Sequence, residues 1–148
     1  MISRKRAKIG DVFLVNAGDK DAYIYYAGKH SEYGDGIFVF SDNPAEDDCK
    51  CVVPRYFTFY PLQHACRQGL VIYQGNNDRN LCIPSEMRRA GARRADGTVK
   101  TWIVSGGDGD MLVQKLLPIQ RKLPIAAIWN HEMLCLRLER GWKPDDDF

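Results

Sequence analysis

Two pairs of potential metal ligands stand close together in the stretch CKCVVPRYFTFYPLQHAC: Cys49 with Cys51, and His64 with Cys66. Thiolates and imidazoles hold zinc when they converge tetrahedrally on one point. Cys49 and Cys51 are two apart, so on a strand both face the same side. His64 and Cys66 are also two apart, but Pro61 and Gly69 punctuate their segment as a short helix. On a helix, residues i and i+2 diverge by about 200°. The two pairs therefore do not meet at one metal, and the usual Cys-x2–4-Cys knuckle is absent. Cys49 and Cys51 are left as candidate ligands by themselves. The plainer reading of the thiols is small apolar side chains, and no cofactor is expected.

Covalent catalysis needs a nucleophile, a base and an orienting group. The histidines are His30, His64 and His131. His30 lies in the turn-like GKHSEYGDG, His64 on the short helix and His131 near a helix start. Cys66 or Cys135 could pair with His64 or His131, but no local motif supports either. The glycine-rich SGGDGD leads into MLVQKL, which reads as a strand. A phosphate loop would lead into a helix, so the glycines mark a hairpin turn. Asp108 and Asp110 fall far short of a calcium-loop pattern. The chain is not expected to be an enzyme.

Residues suited to binding are easier to find. Arg88, Arg89, Arg93 and Arg94 lie within MRRAGARRADG. Such a loop can grip phosphates, face an acidic protein, or stay solvated opposite acidic segments. Asp42, Glu46, Asp47 and Asp48 form an acidic loop. RYFTFY, read as a strand, places Tyr56, Thr58 and Tyr60 on one side and Phe57 and Phe59 on the other. Tyrosines on an open face suit protein recognition, whereas the same residues can equally pack in a core with their hydroxyls satisfied internally.

These residues need a scaffold. With 148 residues the chain fits one domain, 1–148, with 1–8 and 143–148 as flexible ends. Hydrophobic residues at 45% and charged residues at 27% match an ordinary globular protein. No apolar run reaches the roughly 18–20 residues of a membrane helix. The five cysteines are an odd, scattered set, which points to reduced thiols and a cytoplasmic location. A net charge of +2 is too small to indicate a membrane or nucleic-acid partner.

KIGDVFLV, AYIYYAGK and IFVF read as strands joined by Asn/Gly/Asp turns. RYFTFY, LVIYQG and two runs around GGDG add further strands. Residues 76–97 read as a long polar loop, with one turn of helix after Pro84. IWNHEMLCLRLERGW has Asn130 as a cap, Glu132 in its first turn, Arg137 and Arg140 in its last, and Gly141 as its stop. The sum is an α+β fold: a strongly bent antiparallel sheet or small barrel, with one short helix and a C-terminal helix packed on it.

The order of KIGDVFLV, AYIYYAG, FYPLQHACRQGLVIYQGN, IPSEMRRAG, DGTVKTWIV and LPIAAIWNHEMLCLRLERGW across residues 8–142 resembles the immunity protein 26 family of bacterial polymorphic toxin systems. The resemblance implies an α+β fold and a role in binding and occluding a cognate toxin domain, without catalytic residues. Immunity proteins against nucleases are commonly acidic, and this chain is slightly basic. The resemblance therefore implies a toxin other than a nuclease, or a block that does not mimic nucleic acid. Contact residues would come from the acidic loop, the arginine loop and the tyrosine face. The alternatives are a small nucleic-acid-binding module using Arg88–Arg94, and a Cys/His hydrolase.

Overall fold

A computed structural model describes residues 6–46 and 53–147. Strands β1 (Asp11–Ala17), β2 (Lys20–His30), β3 (Gly34–Phe40), β4 (Tyr56–Phe59) and β5 (Ile72–Asn76) form one antiparallel sheet in the order β4-β3-β2-β1-β5. Strands β6 (Met87–Ala90), β7 (Trp102–Gly106) and β8 (Gly109–Val113) form a second. Helix α1 (Leu62–Arg67) carries the chain from β4 to β5 at opposite edges of the first sheet, and helix α2 (His131–Arg140) lies against β1 and β2. The fold is α+β, and the sheets do not close into a barrel.

The large sheet is bent where its register shifts, between Val12 and Phe13 and between Tyr26 and Gly28. Alternation divides it into two buried faces. Phe13, Ile24, Ile37, Val39 and Tyr60 pack on one face with Leu62 of α1 and Leu134 and Leu138 of α2. Val12, Tyr25, Phe40, Phe57 and Phe59 pack on the other with Met87, and Leu81 and Ile83 close over them. Burial on both faces explains why the strands read as near-continuous apolar runs. At Gly36 the sheet and Phe57 meet so closely that an added Cβ would lie 2.6 Å from the Phe57 ring.

Residues 124–129 knit the two sheets together. The Arg88 N–H donates to the Pro124 carbonyl at 2.9 Å, and the Ala126 N–H donates to the Arg88 carbonyl at 2.8 Å. The Trp129 N–H donates to the Phe59 carbonyl at 2.9 Å. The same segment thus covers the outer edges of β6 and β4, a standard way to blunt a free sheet edge.

Three expectations change. Residues 87–90, expected in a loop after a helical turn, form β6, because β7 and Pro124–Ala126 supply their backbone partners. Residues 143–147, expected as a flexible end, include a 3-10 turn at Pro144–Asp146 with Pro144 buried, and the Pro144 carbonyl accepts from Arg88 Nη2 at 2.6 Å. At the other end Ala7 is buried and its N–H donates to Gln63 Oε1 at 3.1 Å.

Candidate binding surface

The small sheet has two unlike faces. Its register sets Arg88 opposite Val104 and Val104 opposite Met111, while Arg89, Ile103 and Leu112 form the adjacent row pointing the other way. On the outer face Arg89 pairs with Asp110 at 2.9 Å, and Ser105 bridges them, accepting from Arg89 at 2.9 Å and donating to Asp110 at 2.7 Å. Those hydrogen bonds hold the Asp110 carboxyl below its usual range.

On the inner face Arg88 is fully buried with its guanidinium 4.3 Å from the Trp102 ring centre. Nη2 donates to the carbonyls of Arg121 and Pro144, and Nε and Nη1 have no hydrogen-bond partner among the described residues. Burial lowers its pKa to about 10, and the nearby Asp147 and Asp145 carboxylates pull it back up. Arg88 therefore does not belong to an exposed arginine loop. Alternation in β6 turns it inward, and Arg89 outward.

Arg93 and Arg94 are exposed but tied to their own turn. Arg93 donates to the Gly97 carbonyl and Arg94 to the Val99 carbonyl, each at 2.8 Å. The four arginines thus split into one buried clamp, one ion pair and two turn braces, and they do not present one cationic face.

The tyrosine face also turns inward. Tyr56 and Tyr60 are 6% and 1% exposed, and Thr58 is fully buried. The reason is tertiary: α2 and Trp142 cover this side of β4. Tyr56 meets Trp142 edge-on at 5.2 Å, and Trp129 meets Trp142 at 4.9 Å. Arg137 lies over both indoles, 4.2 Å from Trp129 and 4.5 Å from Trp142, and pairs with Asp147 at 3.7 Å. In the acidic loop Asp42 and Glu46 are exposed. Arg79 donates to the carbonyls of Pro44 and Glu46, which braces the loop's start. Asp47, Asp48, Cys49 and Cys51 lie outside the described residues.

The main chemical cluster joins Tyr60, the residue after β4, to α2. The Tyr60 hydroxyl is 2.7 Å from His131 Nδ1, and Cys135 Sγ is 3.4 Å from His131 Nε2. Burial pushes the Tyr60 phenol far up and the His131 imidazolium down, so both are neutral near pH 7. A protonated phenol donates to Nδ1, which leaves the imidazole proton on Nε2, facing sulfur. Burial, with Glu139 nearby, raises the Cys135 thiol, whose proton points toward the Asn16 carbonyl at 3.9 Å. Every donor in this chain has an acceptor. The tautomer that satisfies it presents N–H to the thiol, and such a nitrogen cannot take the thiol's proton.

His64 is exposed and Cys66 half-buried on α1, so the helix separates them as their spacing predicts. The Cys66 thiol is pushed up to about 11 by burial and by Asp11 and Asp35. His30 Nδ1 accepts from the N–H groups of Glu32 and Tyr33, which organises the β2–β3 turn.

Between the small sheet, residues 125–129 and α2 runs a groove of about 1030 Å³. Trp102 and Trp129 line it with Arg89, Arg93 and Arg137, and Ile128 and Met133 stand exposed in it at 57% and 38%. Asp96, Asp146 and Asp147 contribute the opposite charge. Sequence reasoning located Arg89 and Arg93 but missed the rest of this groove. The signal available for it was three tryptophans, of which two cluster near α2, without a partner assigned to any of them. No family model, curated protein or solved structure matches the chain.

Proposed function

We propose that this chain is an immunity protein that binds and occludes a cognate bacterial toxin domain, and that the groove beside Trp102 and Trp129 is its docking surface. The groove carries the reading. It sets the exposed apolar side chains Ile128 and Met133 among charges of both signs, over a floor formed by the buried Trp102 and Trp129, and an apolar centre with a charged rim is the pattern of a protein interface. The Cys135–His131 contact is tuned toward a protonated thiol, which favours binding over turnover. The buried position of Arg88 removes one of the four cations on which a phosphate-gripping loop would depend.

Occlusion calls for an interface of about 1,200–2,000 Å² in total. The test is growth of cells expressing the toxin domain encoded beside this chain, with and without it, followed by sizing chromatography of the pair. Growth rescue and one-to-one co-elution are expected. Ile128→Asp and Met133→Asp change exposed residues, so they keep the fold and should weaken the complex by roughly 30-fold or more. Absence of rescue and of a complex by the unaltered chain sinks the proposal. Full neutralisation by both variants moves the interface away from this groove.

A further inference from the structure

Four prolines, from separate segments of the chain, converge on a second pocket of about 470 Å³, among them Pro124 and Pro144. Proline has a fixed φ, so walls made from it keep their shape without a ligand to order them. The volume lies within the roughly 300–1,000 Å³ typical of small-molecule sites. Phe38 and Phe57, edge to face at 5.1 Å, form an aromatic side. Around the pocket stand Arg55, Lys122 and Lys143 against one carboxylate, Asp145. All three cations are exposed, and among the described residues none of them forms an ion pair.

The backbone beneath these cations is anchored. The Arg55 N–H donates to the Val39 carbonyl at 2.7 Å. Buried Arg88 holds the rest: its side chain donates to the carbonyls of Arg121, next to Lys122, and of Pro144, next to Lys143. Its own N–H donates to the Pro124 carbonyl in the wall between them. One residue therefore sets the spacing of two cations and one proline wall. The backbone of the site is thus ordered before a ligand arrives, and only the exposed cationic side chains lose freedom on binding.

We propose that this pocket binds a phosphomonoester carried on a flat aromatic or heterocyclic ring, of about nucleotide size. Three cations suit a doubly charged phosphate better than a single carboxylate, and half-buried Phe38, backed by buried Phe57, gives the ring an apolar surface to lie against. The pocket shares no lining residue with the groove assigned to the toxin, so the two readings stand or fall separately.

The test is calorimetric titration of the full chain at low ionic strength with adenosine monophosphate, phenyl phosphate, inorganic phosphate and phenol. The ring phosphates are expected to saturate the protein, with inorganic phosphate and phenol each at least about tenfold weaker. Lys122→Glu and, separately, Arg55→Glu should weaken both ring phosphates by about tenfold or more, with an unchanged circular dichroism spectrum. The proposal is overturned by an absence of saturable heat from either ring phosphate, or by charge-reversed variants that bind as well as the unaltered chain. Equal binding of inorganic phosphate overturns it too, because the ring contact would then contribute nothing.

Discussion

The Tyr56 hydroxyl is buried and makes no hydrogen bond among the described residues. An unmet buried hydroxyl costs about 1–3 kcal/mol, while its ring fills the space beside Trp129 and Trp142. Tyr56→Phe keeps the ring and removes the unmet group. We expect it to stabilise the protein by about 1 kcal/mol, measured by urea unfolding. Burial lifts the Tyr56 pKa to about 12, as burial and Asp35 do for Tyr26. A raised phenol pKa favours the protonated form in the folded state. Its contribution to stability is whole below the ordinary value of 10 and is lost as pH rises through 12. Unfolding free energy should therefore fall between pH 10 and 12, and less steeply in Tyr56→Phe; an equal slope in the two proteins would refute the assignment. The thiols give a second residue-scale expectation. Cys66 and Cys135 have raised pKa values and are half-buried, whereas Cys82 is exposed. Brief iodoacetamide treatment at neutral pH, read by peptide mass spectrometry, should label Cys82 well ahead of the other two. A fast Cys135 would revive the nucleophile.

Among the elements, α2 has the most complete local signals. Asn130 Oδ1 accepts from the Met133 N–H at 2.8 Å, and Gly141 closes the helix at φ 64°. Asn130→Ala should cost about 1 kcal/mol, and Gly141→Ala a similar amount, because a Cβ disfavours the left-handed conformation. Thermal melts of the two variants check this, and no change in either would mean that packing alone sets the helix ends. Strand β6 is the opposite case. Met-Arg-Arg-Ala has little strand propensity, and its pairing with β7 and with 124–126 makes it a strand. The hairpin β7–β8 lies between these extremes, since its Gly107-Asp108 turn is readable but the inner and outer rows depend on what covers them.

At the scale of the whole molecule, the C-terminal residues act as a strap. Pro144 accepts from Arg88, Asp147 pairs with Arg137, and the Trp142 indole N–H donates to Asp147 at 3.3 Å. Removing residues 143–148 leaves the buried Arg88 charge with one fewer acceptor. A loss of about 2 kcal/mol, or a melting temperature lower by roughly 4–8 °C, should follow. Arg88→Lys should cost a similar amount, because a lysine ends short of the Nη2 position that reaches both carbonyls and loses the planar stack on Trp102. An unchanged melting temperature in both variants would mean that the strap is ornamental to stability.

By itself the sequence determined the local grammar of this protein. The turn residues separating the first three strands, the Pro and Gly that bound α1, and the Asn130 and Gly141 that bound α2 all act within a few residues of themselves, so their consequences are legible in order along the chain. The α+β class followed from those elements. Tertiary structure alone decided which polar side chains face solvent. Arg88 and Arg89 are neighbours in sequence, yet one is fully buried and the other pairs on the surface, because the strand alternates and only one side is covered by residues 121–147. Tyr56 and Tyr60 fit an open face and a core equally well until α2 and Trp142 close over them. The groove and the proline pocket each draw side chains from distant segments, and burial and convergence across such distances leave no periodic signal in a sequence.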